Sequence, residues 1–91
     1  MPEARISVTN ALGLHARAAA QLVRLANIFK SDITIVRTDN GTSANAKSIL
    51  SVLNLAAALG VELLISATGD DENAALEAMT RLFADKFGEG S

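Results

Sequence analysis

The hydrophobic residues of this chain follow two different repeats in turn, and this alternation restricts its fold more than any other feature. Residues 4–9 alternate between apolar and polar side chains, as in a β-strand with one buried face. From Ala16 onward, apolar residues recur every three or four positions, as on one face of a helix. This stripe consists of Ala19, Leu22, Val23, Ala26 and Phe29. The chain is therefore predicted to build a sheet that is covered by amphipathic helices.

The middle of the chain predicts a hairpin. A second strand is expected over residues 33–37, and a weaker one over 42–44. Between them stands Asp39-Asn40-Gly41, whose Asn-Gly pair is favoured in tight hairpin turns. This turn is expected to reverse the chain between the two strands.

The second half of the chain repeats the change from helix to strand to helix. Ser48 is predicted to be the N-cap of a short helix that ends by Gly60 at the latest, with residues 55–59 either helical or loop. Residues 61–67 alternate as a fourth strand, and acidic residues at 70–72 precede a last helix. The apolar stripe of that helix is predicted to consist of Leu76, Met79, Leu82, Phe83 and Phe87.

The predicted order is strand, helix, strand, strand, helix, strand, helix (βαββαβα). This order indicates an α+β fold of two layers, in which helices cover one face of an antiparallel sheet. A chain of 91 residues with 49% hydrophobic residues suits one small core. We therefore expect a single domain over residues 1–88 and a flexible tail over residues 89–91.

Composition excludes several classes of function. The chain has no cysteine and one histidine, which excludes disulfides and thiolate metal sites, so neither a metal nor a cofactor is expected. Its net charge of −2, three Phe and no Tyr or Trp argue against nucleic-acid binding. The most apolar stretch, residues 52–67, is interrupted by polar residues, and no membrane insertion is expected. These features predict a cytoplasmic protein that binds other proteins.

The only histidine, His15, stands at the predicted start of the first helix. A neutral imidazole is nucleophilic near pH 7, because its ordinary pKa is about 6.5. Arg17 adds a cation that can bind two phosphate oxygens. On these residues alone, the alternative is a surface histidine beside a solvated arginine.

Two segments resemble a known family. Residues 13–23, Gly-Leu-His-Ala-Arg-Ala-Ala-Ala-Gln-Leu-Val, are similar to the active-centre signature of HPr, the histidine-containing phosphocarrier family of the bacterial sugar phosphotransferase system. Residues 45–50, Asn-Ala-Lys-Ser-Ile-Leu, resemble the regulatory-serine segment of the same family. The resemblance covers nearly the whole chain, and it implies an open-faced β-sandwich of four strands and three helices.

The resemblance implies a relay at His15. One ring nitrogen would accept a phosphoryl group from phosphorylated Enzyme I and pass it to a IIA permease component. The chain would then be a stoichiometric carrier rather than an enzyme. Arg17 would contact the phosphate or the partner, and the backbone amides of Ala16, Arg17 and Ala18 would bind the phosphate. Ala18 departs from the family, which usually has proline at this position, and the active-centre loop is expected to be less rigid as a result.

Ser48 has two compatible roles. As an N-cap it would accept a hydrogen bond from an amide in the first turn, which contributes about 1 kcal/mol. The resemblance adds phosphorylation by HPr kinase/phosphorylase, which would block the relay and create a form that binds a transcriptional regulator. Added charge at a helix start stabilises the helix, so this effect would act through the docking surface.

A partner docking surface is expected near His15. A short helix cannot bury all of its apolar residues, and the exposed ones provide a surface for partner helices. The predicted docking residues are Leu14, Gln21, Arg24, Lys47, Ile49, Leu50 and Leu53.

Two other functions stay open. One is a regulatory paralogue, either of the nitrogen-related branch or a kinase-controlled co-regulator. The other is a small α+β ligand-binding module, which would need a basic or aromatic sheet face that this sequence lacks. In each case we expect a monomer.

Overall fold

The computed structural model describes residues 2–89, and its elements follow the predicted order. The strands are β1 (Glu3–Ser7), β2 (Asp32–Arg37), β3 (Ser43–Asn45) and β4 (Glu62–Thr68). The helices are α1 (Ala16–Ala26), α2 (Ile49–Leu53) and α3 (Glu72–Ala84), and a single turn, Lys86–Gly88, follows α3. No helix in this part of the chain is both long and apolar enough to cross a membrane.

The strands form one antiparallel sheet in the order β1-β4-β2-β3. Strand β4 lies between β1 and β2, with Ile65 paired to Ala4 on one side and to Ile35 on the other. The buried side chains of β4 alternate with half-buried ones, because successive residues of a strand point to opposite faces. One face of the sheet therefore carries the core, and the other stays open.

The core lies between this sheet and the helices. Leu22 of α1, Val52 of α2 and Met79 of α3 are all fully buried in the same cluster as Ile35 and Ile65 of the sheet. The predicted α+β fold, an open-faced β-sandwich with three helices on one face of a four-stranded antiparallel sheet, is confirmed.

Two helices end earlier than their apolar stripes predicted. Helix α1 ends at Ala26, because the next amides no longer donate four residues back: those of Ile28 and Phe29 donate to the carbonyl oxygens three residues earlier, at 3.1 and 3.3 Å. Phe29 still packs against the core from this turn. Helix α3 ends at Ala84, and Phe87 is buried from the turn that follows.

The hairpin lies where it was predicted, although its turn is wider than a two-residue turn. The Arg37 amide donates to the Thr42 carbonyl oxygen at 2.8 Å, which leaves residues 38–41 as the loop. Gly41 has a φ of 75°, whereas Asn40 lacks the positive φ of a tight Asn-Gly turn. Instead, the Asn40 side chain accepts a hydrogen bond from the Thr42 amide at 2.9 Å.

Residues 55–59 are loop, which settles the alternative that the sequence left open. Of the predicted tail, Gly90 and Ser91 lie outside the described residues. Glu89 lies inside them, and its side chain contacts the loop that precedes α1.

Candidate functional site

A short loop fixes the position at which α1 begins. The Gly13 amide donates to the Asn10 carbonyl oxygen at 3.1 Å, and the Leu14 amide donates to the Ala57 carbonyl oxygen at 2.8 Å. Leu14 is 5% exposed and anchors the loop in the core. His15 is therefore held immediately before the helix by a turn, a backbone contact and a buried side chain.

His15 is the N-cap of α1, at the helix start that the sequence predicted. Its backbone is extended, with φ −74° and ψ 177°, and its carbonyl oxygen accepts the first hydrogen bond of the helix from Ala19 at 2.8 Å. Its side chain makes no capping hydrogen bond and is 28% exposed. The imidazole therefore makes no hydrogen bond to the helix and is accessible at the surface of the protein.

The amides of Ala16, Arg17 and Ala18 form the open end of the helix. In the described part of the chain none of the three donates a hydrogen bond, as is usual for the first turn. Such amides and the helix dipole attract anions. The structure therefore places three unused donors directly after His15.

Arg17 is exposed on this first turn. It forms no ion pair within residues 2–89, although its charge contributes to lowering the pKa of Glu89. The guanidinium is therefore near the site and available to an incoming anion.

Glu89 and Asn10 complete the surroundings of His15, and sequence analysis missed both. One Glu89 oxygen contacts the His15 Nε2 atom, and the other accepts a hydrogen bond from the Asn10 side chain at 2.9 Å. These hydrogen bonds hold the pKa of the Glu89 carboxyl below its ordinary value, with a smaller contribution from the charges of His15 and Arg17. No local pattern in the sequence marks Glu89, because the contact joins the two ends of the domain.

Ser48 is the N-cap of α2. Its hydroxyl accepts a hydrogen bond from the Ser51 amide at 3.4 Å, while the Ser51 hydroxyl accepts one from the Asn45 amide at 2.9 Å. The capping role that the sequence predicted is thus present in the structure, with a long hydrogen bond. The Ser48 side chain makes no hydrogen bond to His15 in the described residues.

Only some of the predicted docking residues are exposed; others are buried or hydrogen-bonded within the protein. Ile49, Leu50 and Leu53 of α2 are exposed, and Leu50 is the most exposed of the three at 72%. Leu14 is buried, so its side chain belongs to the core rather than to a surface, which corrects its assignment to the docking group. Gln21 is half-buried and Arg24 exposed, while the Lys47 ammonium donates to the Phe29 carbonyl oxygen at 2.8 Å.

Comparisons with known proteins agree with this fold. Residues 2–85 match the family described as "PTS HPr component phosphorylation site". The chain is 43% identical over 89 residues to the phosphocarrier protein HPr of Xylella fastidiosa, covering 98% of each chain. It is also 39% identical over 84 residues to the phosphocarrier protein NPr of Escherichia coli, covering 92% of each.

Solved structures show the same likeness. The crystal structure of HPr-C-His from Thermoanaerobacter tengcongensis superposes with a TM-score of 0.92 at 40% identity, and the match covers 98% of each chain. HPr from Bacillus anthracis superposes with a TM-score of 0.82 at 39% identity, over 88% of this chain and 93% of that one. The fold and the sequence likeness are those of small phosphocarrier domains of the phosphotransferase system. The chain belongs to the HPr family.

Proposed function

We propose that this chain is a stoichiometric phosphocarrier whose His15 accepts a phosphoryl group from phosphorylated Enzyme I and passes it to IIA permease components. A lone pair of the imidazole forms the new N–P bond while the P–N bond in the donor breaks, and that electron pair returns to the donor nitrogen. The observation that carries this proposal is the accessible imidazole at the start of α1, followed by three amides with no acceptor.

The site suits a transient phosphoryl group. Helix-start amides and one arginine stabilise a phosphate moderately, and moderate stabilisation permits its release. The described residues contain no cluster of three or more His, Asp or Glu side chains that could hold a metal ion. The partner proteins are expected to supply the remaining groups that the transfer needs.

The test is incubation of the chain with Enzyme I and phosphoenolpyruvate. We expect a single acid-labile phosphoryl mass increment in the wild type and none in His15→Ala. Arg17→Ala is expected to be phosphorylated more slowly, because it removes a cation from the site. A wild-type chain that stays unmodified, while a known HPr is phosphorylated in the same mixture, would refute the carrier function and favour the ligand-binding module.

A regulatory role is the second candidate, and the NPr relatives support it. Two of them, from Shewanella violacea and Escherichia coli, are 40% and 39% identical to this chain. We therefore propose parallel phosphorylation assays with Enzyme I of the sugar branch and with its nitrogen-branch counterpart. Faster transfer from the sugar-branch donor supports the uptake carrier, and faster transfer from the other donor supports the regulatory branch.

Ser48 is proposed as a second phosphorylation site, acted on by HPr kinase/phosphorylase. The hydroxyl is half-buried at the start of α2, next to the exposed Ile49 and Leu50. A phosphate there would add negative charge beside the apolar surface that partners, including a transcriptional regulator, are proposed to contact. Incubation with the kinase and ATP should give an acid-stable increment that is absent in Ser48→Ala.

A further inference from the structure

Glu89 and Asn10 form a connected hydrogen-bond chain that ends on the imidazole of His15. The Asn10 side-chain nitrogen donates to the Gly13 carbonyl oxygen at 2.8 Å and to Glu89 Oε1 at 2.9 Å. Glu89 Oε2 in turn contacts the His15 Nε2 atom. Both neighbours of the Asn10 amide nitrogen are acceptors, so its NH₂ group must face them. The imidazole is thereby tied, through two side chains, to the backbone of its own loop.

Burial makes this arrangement specific. Asn10 is 1% exposed, and its Oδ1 atom has no hydrogen-bond partner within the described residues. An unpaired buried oxygen is costly and therefore rare in folded proteins. The Glu89 side chain is 12% exposed although it stands near the end of the chain. Asn10 and Glu89 are therefore both largely shielded from solvent, unlike ordinary polar groups on a protein surface.

The turn after α3 brings Glu89 to this position. Phe87 packs edge to face on Phe83, with ring centroids 4.9 Å apart. Lys86, Phe87 and Gly88 have φ values of 54°, 56° and 75°. Left-handed backbone costs a non-glycine residue about 1–2 kcal/mol. A strained turn held by a buried aromatic ring therefore directs Glu89 back to the start of α1.

The contact determines which nitrogen of the neutral imidazole carries the proton. An ionised carboxylate can only accept hydrogen bonds, so Nε2 must be the protonated nitrogen that donates to Glu89. The lone pair then lies on Nδ1, which makes no hydrogen bond within residues 2–89. Glu89 also accepts no hydrogen bond from the amides of residues 16–18, so these stay available to a phosphate.

We infer that Glu89, oriented by Asn10, is a positioning residue that holds the His15 imidazole with its proton on Nε2 and its nucleophilic lone pair on Nδ1. This inference rests on the proposed phosphocarrier function and deepens it. When Nδ1 forms the bond to phosphorus, the ring acquires positive charge that is shared with Nε2–H, and the carboxylate stabilises that charge. When the phosphoryl group passes to the acceptor, the electron pair of the N–P bond returns to Nδ1, and the ring is neutral again with its proton still on Nε2, facing Glu89.

A competing role for the same contact is inhibition. A carboxylate beside the acceptor would repel the incoming phosphoryl group, and its removal would then speed the transfer. The positioning role predicts the opposite effect, so the sign of the rate change distinguishes the two roles.

The test compares Glu89→Gln and Glu89→Ala with the wild type. Glu77→Gln is the control, because it changes an exposed carboxylate that pairs with Arg81 on the outer face of α3. The transfer rate from phosphorylated Enzyme I is expected to fall about tenfold in both Glu89 variants, as loss of a charge-assisted hydrogen bond implies. The control is expected to stay within twofold of the wild type.

A second readout does not depend on phosphorylation. The ¹⁵N chemical shifts of the imidazole, recorded above the titration range of the ring, report the share of each tautomer in the unmodified protein. We expect nearly pure Nε2–H tautomer in the wild type and in Glu77→Gln. A mixture is expected in Glu89→Gln, because its amide can donate to Nε2 as well as accept from it. Urea unfolding of each variant establishes that the fold is retained.

The outcomes separate the two proposals. If the wild type takes no phosphoryl group, the carrier function fails, and the tautomer measurement still tests the positioning role. If the wild type is phosphorylated but Glu89→Gln keeps both the wild-type tautomer and the wild-type rate, the inference about Glu89 fails alone. Faster transfer in Glu89→Ala would overturn it in favour of inhibition.

Discussion

Gly13 lies so close to Ala57 that it leaves no room for a side chain. A Cβ atom at Gly13 would be 2.6 Å from the Ala57 carbonyl oxygen, and the φ of this glycine is 65°. The close approach permits the Leu14 amide to bond that same oxygen at 2.8 Å and so to fix the residue before His15. We expect Gly13→Ala to lower the free energy of unfolding by about 3 kcal/mol, the sum of backbone strain and overpacking.

Gly41→Ala is the matched control for this prediction. Gly41 also has a positive φ, 75°, yet a Cβ atom there would meet nothing within 4 Å. Gly41→Ala should lower the free energy of unfolding only by the cost of backbone strain, about 1 kcal/mol. Urea unfolding of both variants measures the difference, and equal losses would show that the contact with Ala57 contributes nothing.

The Ser48 cap predicts a modest loss of stability. Its hydrogen bond to the Ser51 amide is 3.4 Å long, so Ser48→Ala is expected to cost about 0.5–1 kcal/mol, the lower part of the usual range for N-caps. Ser48→Asp should keep most of the stability, because aspartate is an equally good N-cap. Thermal unfolding tests both variants, with the exposed Ser43→Ala as control. Greater destabilisation by aspartate than by alanine would contradict the cap.

The order of elements could be predicted because each of them carries its own periodicity. Strand β4 shows this most clearly, since Leu63, Ile65 and Ala67 are buried on one face in the same alternation that the sequence displays. The ends of α1 and α3 could not be predicted, because the apolar stripe continues into residues that pack on the core without being helical. Phe29 and Phe87 both contribute to the core from turns.

The site could be predicted only in part, and for a similar reason. His15 at a helix start is a local feature, and the structure has it as the N-cap. The Glu89 contact is 74 residues distant in sequence, and the glycines on either side of Glu89 suggested a frayed end. The sequence could not show that Leu14 is buried, because a single apolar residue in a loop belongs to no periodic pattern. A contact between residues so far apart in sequence, such as that of His15 with Glu89, depends on how the end of the chain packs, which no local pattern shows.

If the exposed side of α2 is the docking surface, substitutions there should weaken partner binding and equally exposed substitutions elsewhere should not. Leu50 and Ile28 are each 72% exposed, but only Leu50 belongs to the proposed docking group. Leu50→Ser is expected to weaken binding to Enzyme I at least tenfold, because a central apolar contact is lost. Ile28→Ser should leave binding unchanged, and both variants should keep the wild-type stability within about 0.5 kcal/mol. Calorimetric titration measures the affinities; equal weakening in the two variants would remove α2 as the docking surface.

The hydrogen bonds of Asp71 make the stability of the fold depend on pH. Its carboxylate accepts hydrogen bonds from the Ser31 hydroxyl at 2.5 Å and from the amides of Lys30 and Ser31 at 2.9 Å each, and these hold the pKa of Asp71 at about 2. In the unfolded chain an aspartate has a pKa of about 3.9. Because the folded value is the lower one, the stabilisation is present above about pH 4 and is lost as the pH falls towards 2.

Asp71→Asn is therefore expected to be less stable than the wild type at pH 7 and to approach it in stability between pH 4 and pH 2. Asparagine cannot ionise, and its NH₂ group would face donors rather than acceptors. Asp70→Asn is the matched control, since the neighbouring Asp70 is exposed and makes no side-chain hydrogen bond within the described residues. Urea unfolding at pH 7, 4 and 2.5 gives the difference in free energy. A difference between wild type and Asp71→Asn that stays constant over this range would show that the charge on Asp71 does not stabilise the junction between α1 and α3.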